Sequence, residues 1–80
     1  MTVTVLLFAS YADALGRSTI ELDLANGATV KDMMDRVRGM VSAERLPPAP
    51  LVAVNERYAS PDRELRAGDE VALIPPVAGG

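Results

Sequence analysis

The sequence predicts an α+β fold in which a mixed sheet packs on one main helix. Three observations predict it: strand-like alternation of apolar residues at the start, one run with helical periodicity in the middle, and an apolar strand near the end. The chain has 80 residues, of which 49% are hydrophobic, and this suits one domain with a small aliphatic core. We therefore expect a domain over residues 1–74 and a flexible Gly-Gly tail over residues 75–80.

The first strand is predicted over residues 2–9. Its side chains alternate between two faces, because successive residues of a strand point in opposite directions. One face carries Val3, Val5 and Leu7, and the other carries Thr2, Thr4, Leu6 and Phe8.

A short helical turn and a second strand follow. The turn spans residues 10–15 and is closed by Gly16, and the half-buried strand alternates through Ile20, Leu22 and Leu24. Asn26-Gly27 then supplies a turn in which glycine tolerates positive φ.

From Thr29 the period becomes helical. Apolar residues recur at i, i+3, i+4, i+7 and i+10/11, namely Val30, Met33, Met34, Val37 and Met40/Val41. Thr29 is the predicted N-cap, with Asp32 completing an approximate capping box, and Gly39 marks fraying near the end. Three methionines on one face allow an adaptable binding groove, but methionine at this spacing is typical of a core, and we interpret it so.

The second half alternates short strands and turns. Pro47-Pro48-Ala49-Pro50 predicts a stiff crossing loop. Strands are predicted at residues 51–54, 58–59 and 70–74, with turns at residues 60–62 and 66–69. This order of elements matches the β-grasp arrangement, a sheet wrapped around a helix. By analogy with that fold, the first and last strands lie side by side and parallel in the middle of the sheet.

That topology places two large apolar residues together. Phe8 and Ile74 would both lie on the open face, at the C-terminal ends of their strands, and Tyr58 from the short strand would complete a patch. The patch predicts a docking surface for a partner protein. The alternative is that Phe8 covers the helical turn at residues 10–15.

The residues after the last strand form a narrow, uncharged arm. They are Pro75, Pro76, Val77, Ala78, Gly79 and Gly80. Two prolines favour extended geometry, and six residues at about 3.3 Å each reach roughly 20 Å, so the arm could deliver its carboxylate into a partner's active site. The alternative is an ordinary frayed terminus.

The composition argues against several classes of chemistry. The chain has no Cys and no His, so disulfides, thiolate nucleophiles, imidazole bases and the commonest zinc sites are not expected, and we expect no metal site. A net charge of −3, with scattered arginines, argues against binding nucleic acid or anionic lipid. Met1 leads directly into the first strand without a signal-peptide pattern, and we expect a cytoplasmic protein without a membrane span.

The sequence resembles a known family along nearly its whole length. The matching motifs are Leu7-Phe8-Ala9 with Gly16, Thr29-Val30, Ala53-Val54-Asn55, and the block that runs from Gly68-Asp69-Glu70-Val71 through Pro75-Pro76-Val77 to Gly79-Gly80. Together they resemble the small subunit of molybdopterin synthase, the ubiquitin-like sulfur carrier of molybdenum-cofactor synthesis. Carriers that serve thiamine or cysteine synthesis also end in Gly-Gly but usually lack the double proline. Met33 stands where Leu is common in the family, and Ala78 where Ser or Thr is frequent.

The resemblance implies a reaction cycle on Gly80. An E1-like adenylyltransferase uses ATP to adenylate the terminal carboxylate, which a sulfur donor converts to a thiocarboxylate. The tail then enters the large subunit of molybdopterin synthase, where the sulfur passes to cyclic pyranopterin monophosphate and molybdopterin forms. By the same resemblance, residues matching Phe8, Tyr58 and Ile74 contact the large subunit, and two carriers flank a dimer of large subunits in a heterotetramer.

The resemblance also implies that the chain is not an enzyme by itself and binds no cofactor. Adenylation fits the chemistry, because a carboxylate is a poor electrophile until the mixed anhydride with AMP provides a leaving group. Three alternatives stay open: a sulfur carrier of another pathway (thiamine or cysteine), a ubiquitin-like protein modifier joined through Gly80 to a lysine, and an interaction module without tail chemistry.

Overall fold

The computed structural model describes residues 1–41 and 50–75. Within these ranges the chain forms five strands and two helices, and the predicted α+β class is confirmed. In chain order the elements are β1 (Thr2–Leu7), α1 (Ser10–Leu15), β2 (Thr19–Asp23), α2 (Val30–Arg38), β3 (Leu51–Val54), β4 (Arg57–Tyr58) and β5 (Glu70–Ile74).

The five strands form one mixed sheet in the order β2-β1-β5-β3-β4. β1 and β5 are parallel, with Val5 opposite Val71 and Leu7 opposite Leu73, whereas the other neighbours are antiparallel. The prediction that the first and last strands are parallel neighbours is therefore confirmed. Because the two strands run in the same direction, their C-terminal ends meet at one end of the sheet.

The core lies between the sheet and α2. Alternate residues of β1 and β5 face it, and the apolar stripe of α2 supplies the opposite side, as the two periodicities predict. These buried residues are Val3, Val5, Leu7, Val71 and Leu73 from the strands and Val30, Met33, Met34 and Val37 from the helix. Fully burying one such side chain contributes about 1.5–3 kcal/mol, so the sheet and the helix stabilise each other.

A capping box begins α2, as the sequence predicts. The Thr29 side chain accepts a hydrogen bond from the Asp32 backbone N–H at 3.3 Å, and the Asp32 carboxylate accepts one from the Thr29 N–H at 2.9 Å. The backbone hydrogen bond from Thr29 lowers the pKa of the Asp32 carboxyl. The helix ends at Arg38 with Gly39 as its C-cap.

The predicted core role of Met40 is wrong. Its side chain is 49% exposed, because α2 ends two residues earlier and the chain no longer follows the apolar stripe of the helix. The apolar spacing of the sequence continues past Gly39 to Met40, whereas the helix itself ends at Arg38 with Gly39 as its C-cap.

The short helix α1 contributes an unexpected core residue. Gly16 closes the helix, as predicted, and the structure shows it in the left-handed conformation at φ 70°. Tyr11 is fully buried, and the pKa of its hydroxyl is raised by that burial, an effect that the charge of Arg38 partly offsets. Sequence analysis assigned no core role to Tyr11.

The bounds of two strands differ from the prediction by one or two residues. β1 ends at Leu7, because Ala9 has φ 47° and ψ −120°, far from strand geometry. β4 covers Arg57–Tyr58 instead of residues 58–59. Of the predicted proline-rich loop, Pro50 is described and half-buried, and residues 47–49 lie outside the described ranges.

The predicted turns are present. Arg63 N donates to Ser60 O at 3.1 Å in the first turn, and Asp69 N donates to Arg66 O at 3.0 Å in the second.

Candidate functional site

The open face of the sheet carries a depression of about 370 Å³, which we call the open-face depression. The predicted docking residues Phe8, Tyr58 and Ile74 all line it, so the structure brings these three together as expected. The full lining is Leu6, Phe8, Ala53, Glu56, Tyr58, Glu70, Ala72 and Ile74.

The concave shape follows from the strand register. Leu6 lies opposite Ala72, Ala72 opposite Ala53, and Ala53 opposite Tyr58, so these four residues form one row across four strands. Paired residues in adjacent strands share a face of the sheet. Small alanines occupy the middle of the row and large side chains occupy its ends, and this difference in size forms the hollow.

The aromatic side chains at the rim are accessible. Phe8 is 47% exposed and Tyr58 is 74% exposed, while Ile74 is half-buried. Phe8 lines the open-face depression, and none of the residues that line it belongs to α1. The alternative that Phe8 covers α1 is therefore not favoured. The predicted binding role of these residues is a separate matter and stays a prediction.

The depression adjoins the start of the predicted tail. Leu7 and Leu73 are the last parallel pair, so Phe8 and Ile74 follow side by side at the C-terminal ends of β1 and β5. Pro75 comes directly after and is half-buried. Pro76, Val77, Ala78, Gly79 and Gly80 lie outside the described residues, so the predictions made for them stay predictions.

Two carboxylates lie at the other end of the depression. Glu70 begins β5 and Glu56 lies in the turn between β3 and β4, at φ 70°. Asn55 joins the two segments: its N–H donates to Glu70 O at 2.8 Å, and its side-chain oxygen accepts from Glu70 N at 3.0 Å. Sequence analysis missed both glutamates, although alternation along β5 places Glu70 on the same face as Ile74.

Asp69, which is buried, stabilises the contact between the β3–β4 turn and the start of β5. It is 9% exposed and accepts hydrogen bonds from Arg66 N at 2.8 Å and from the Asn55 side-chain amide at 3.0 Å. Burial alone would raise the pKa of Asp69, but these hydrogen bonds and the charges of Arg63 and Arg66 outweigh it and lower the pKa. Arg66 and Asp69 thus act as turn residues, as predicted, at the end of β5 remote from the tail.

Residues 1–41 and 50–75 contain no group of three acidic, His or Cys side chains placed to hold a metal ion. In the same ranges, no helix has the length and apolarity needed to cross a membrane.

Comparison with known proteins identifies relatives along the whole chain. The ThiS family model matches residues 5–80. The molybdopterin synthase sulfur carrier subunit of Chlamydomonas reinhardtii is 34% identical and is covered over 100% of both chains. That of Arabidopsis thaliana is 32% identical over 98% of this chain and 82% of its own length.

A solved structure confirms the fold. The crystal structure of Haloferax volcanii small archaeal modifier protein 1 matches with a TM-score of 0.84 and 32% identity, over 95% of this chain and 98% of that chain. The ubiquitin-like β-grasp fold predicted from the order of the elements is therefore correct. From the family match and these full-length relatives, the chain belongs to the ThiS family.

Proposed function

We propose that this protein is the sulfur carrier subunit of a molybdopterin synthase, with Gly80 as its reactive residue. The observation that carries the proposal is the position of the open-face depression, directly beside the residues of β5 that lead into the Gly-Gly end. A partner held on Phe8, Tyr58 and Ile74 would have the tail within reach of its active site. The full-length relatives among sulfur carrier subunits support the proposal.

The chemistry proceeds in two steps at the terminal carboxylate. The Gly80 carboxylate attacks the α-phosphate of ATP on an E1-like enzyme, forming an acyl adenylate and releasing pyrophosphate. A persulfide-type sulfur donor then attacks the acyl carbon and AMP leaves; reductive cleavage of the remaining S–S bond by a thiol yields the thiocarboxylate. This chain supplies the acyl group and the docking surface, and its partners supply the acid–base groups.

The thiocarboxylate is then delivered to the large subunit. There its sulfur passes to cyclic pyranopterin monophosphate, the C–S bond at Gly80 breaks, and water supplies the oxygen that restores the carboxylate. Two carriers on a dimer of large subunits would form the heterotetramer that the family resemblance implies.

Intact-mass spectrometry tests the proposal directly. After incubation with the activating enzyme, ATP and a sulfur donor, the carrier should gain about 16 Da, the mass of sulfur replacing oxygen at the activated acyl group. Deleting Gly80, or adding one residue after it, should abolish the gain while circular dichroism stays unchanged. An unchanged mass in the wild-type protein would count against the proposal.

A second candidate is a protein modifier, favoured by the similarity to the Haloferax modifier protein. In that case the acyl adenylate would react with a lysine amine of another protein, forming an amide bond as AMP leaves. Covalent adducts that survive denaturing electrophoresis would favour this function.

Sulfur transfer in thiamine or cysteine synthesis would instead show the same gain of mass but no synthesis of molybdopterin with the large subunit.

A further inference from the structure

We propose that Glu56 and Glu70 bind basic side chains of the large subunit and thereby fix the direction in which the carrier lies on it. This inference rests on the proposed function. It assigns to the open-face depression two ends of different chemistry, one apolar beside the tail and one acidic away from it.

The strand register establishes this polarity. The outward residues of β5 are Glu70, Ala72 and Ile74, and alternate residues of a strand are about 6.6 Å apart, so Glu70 lies roughly 13 Å from Ile74. Phe8 lies beside Ile74 at the apolar end. A partner that covered the depression in the reverse direction would set its cations against Phe8 and Ile74 and its apolar side chains against two carboxylates.

The acidic end is held in a fixed position. Asn55 ties the β3–β4 turn to Glu70 through two backbone-directed hydrogen bonds of 2.8 and 3.0 Å and also donates to Asp69 at 3.0 Å. The backbone positions of Glu56 and Glu70 are thus kept at the same end of the depression although the two residues are distant in sequence. Both residues are exposed, and none of the ion pairs within the described ranges involves either of them.

The charge of the partner follows from the cost of desolvation. A surface that covers the apolar hollow also removes water from the adjoining carboxylates, and burying an unpaired charge is costly. Guanidinium or ammonium groups opposite Glu56 and Glu70 offset that cost. Such pairs accelerate encounter and disfavour wrong orientations more than they increase affinity.

Binding kinetics with the isolated large subunit test the inference. Glu56→Gln and Glu70→Gln remove one charge each with little change of shape, and Glu64→Gln is the matched control, because Glu64 is exposed and lies outside the depression. We expect each depression variant to lower the association rate constant about fivefold, and the control to change it less than twofold. Glu70→Lys should lower it far more than Glu64→Lys does.

Salt dependence distinguishes an electrostatic role from a structural one. The association rate of the wild type should fall as ionic strength rises, and the double variant Glu56→Gln/Glu70→Gln should show a flatter dependence. Thermal unfolding of each variant checks that the fold is retained. If the depression variants bind like Glu64→Gln at every ionic strength, the inference is wrong while the proposed function stands. If the wild type neither binds the large subunit nor gains sulfur, the proposed function fails and this inference fails with it.

Discussion

Asn55 donates a hydrogen bond from its side-chain amide to the buried carboxylate of Asp69 at 3.0 Å. The bond links the β3–β4 turn to the start of β5, and the Arg66 N–H donates to the other carboxylate oxygen at 2.8 Å. The Asp69 carboxylate therefore holds the β3–β4 turn against the segment that leads into β5.

Replacing Asp69 should destabilise the fold. Asp69→Ala leaves the Asn55 amide and the Arg66 N–H without their acceptor, and hydrogen bonds to a charged group contribute about 1.5–3 kcal/mol each. Because Asn55 is exposed and its freed amide can bind water instead, we expect the loss to be smaller than the full sum, a fall of about 2–3 kcal/mol in the free energy of unfolding at pH 7, measured by urea denaturation. Asp13→Ala, at an exposed position of α1, is the control and should change it by less than about 0.5 kcal/mol. Equal effects of the two substitutions would contradict the role given to Asp69.

The same carboxylate should make stability depend on acid pH. The pKa of Asp69 is lower in the fold than its ordinary value of 3.8, so the unfolded chain binds the proton more readily. Its contribution is present above pH 3.8 and is lost as pH falls through the folded pKa. Asp32 also has a lowered pKa, so the informative quantity is the difference between wild type and Asp69→Asn. In urea denaturation from pH 7 to pH 2.5, we expect this difference to shrink on acidification. A constant difference would exclude a folded pKa below that of the unfolded chain.

Phe8→Asp should separate docking from activation chemistry. A charge at the apolar end of the open-face depression should weaken binding to the large subunit at least tenfold, while adenylation of the carrier is less affected. Met40→Asp is the matched control, because Met40 is exposed to nearly the same extent, 49% against 47%, and lies outside the depression. Isothermal titration with the large subunit measures the affinity of both variants. Equal affinity of Phe8→Asp and wild type would refute the docking surface.

Glu56→Gly should raise the free energy of unfolding and at the same time slow association with the large subunit. Glu56 has φ 70°, where a residue with a Cβ is strained by roughly 1 kcal/mol and glycine is not. We expect a gain of up to about 1 kcal/mol in the free energy of unfolding, together with slower association with the large subunit. Glu21→Gly in β2 is the control and should lose about 0.5–1 kcal/mol. A variant that is more stable and still docks at the wild-type rate would leave Glu56 without a role in binding.

The amines of the chain predict where a self-conjugate would form. Lys31 is the single lysine in the sequence, and the Met1 amine is engaged in hydrogen bonds, which it donates to Leu24 O at 2.7 Å and to Asp23 at 3.3 Å. If the acyl adenylate of one copy reacts with another copy, the amide should therefore form at Lys31, whose side chain is 70% exposed. Peptide mapping locates the bond, and Lys31→Arg should abolish the product. A product linked through Met1 would show that its amine becomes accessible.

The sequence predicts the faces of the sheet well, because period-two alternation fixes which residues share a side. Phe8 and Ile74 could be placed together once the parallel pairing was taken from the fold. Tyr11 was missed because a helix of six residues shows too little periodicity to reveal its buried side. Met40 was misplaced because glycine ended α2 while the apolar spacing continued beyond it. The acidic end of the depression forms because Asn55 is hydrogen-bonded to Glu70, fifteen residues further along the chain. A local sequence pattern does not reveal a contact over that separation.

The central strand of the sheet is the last one to be synthesised. β5 lies between β1 and β3. The strand pair β2-β1 and the strand pair β3-β4 are therefore not joined by backbone pairing in the sheet until residues 70–74 are inserted between them. Contacts between the two ends of a chain slow folding, since a long loop must close first. A nascent polypeptide that has not yet reached residue 70 therefore lacks the side of the open-face depression that Glu70, Ala72 and Ile74 form.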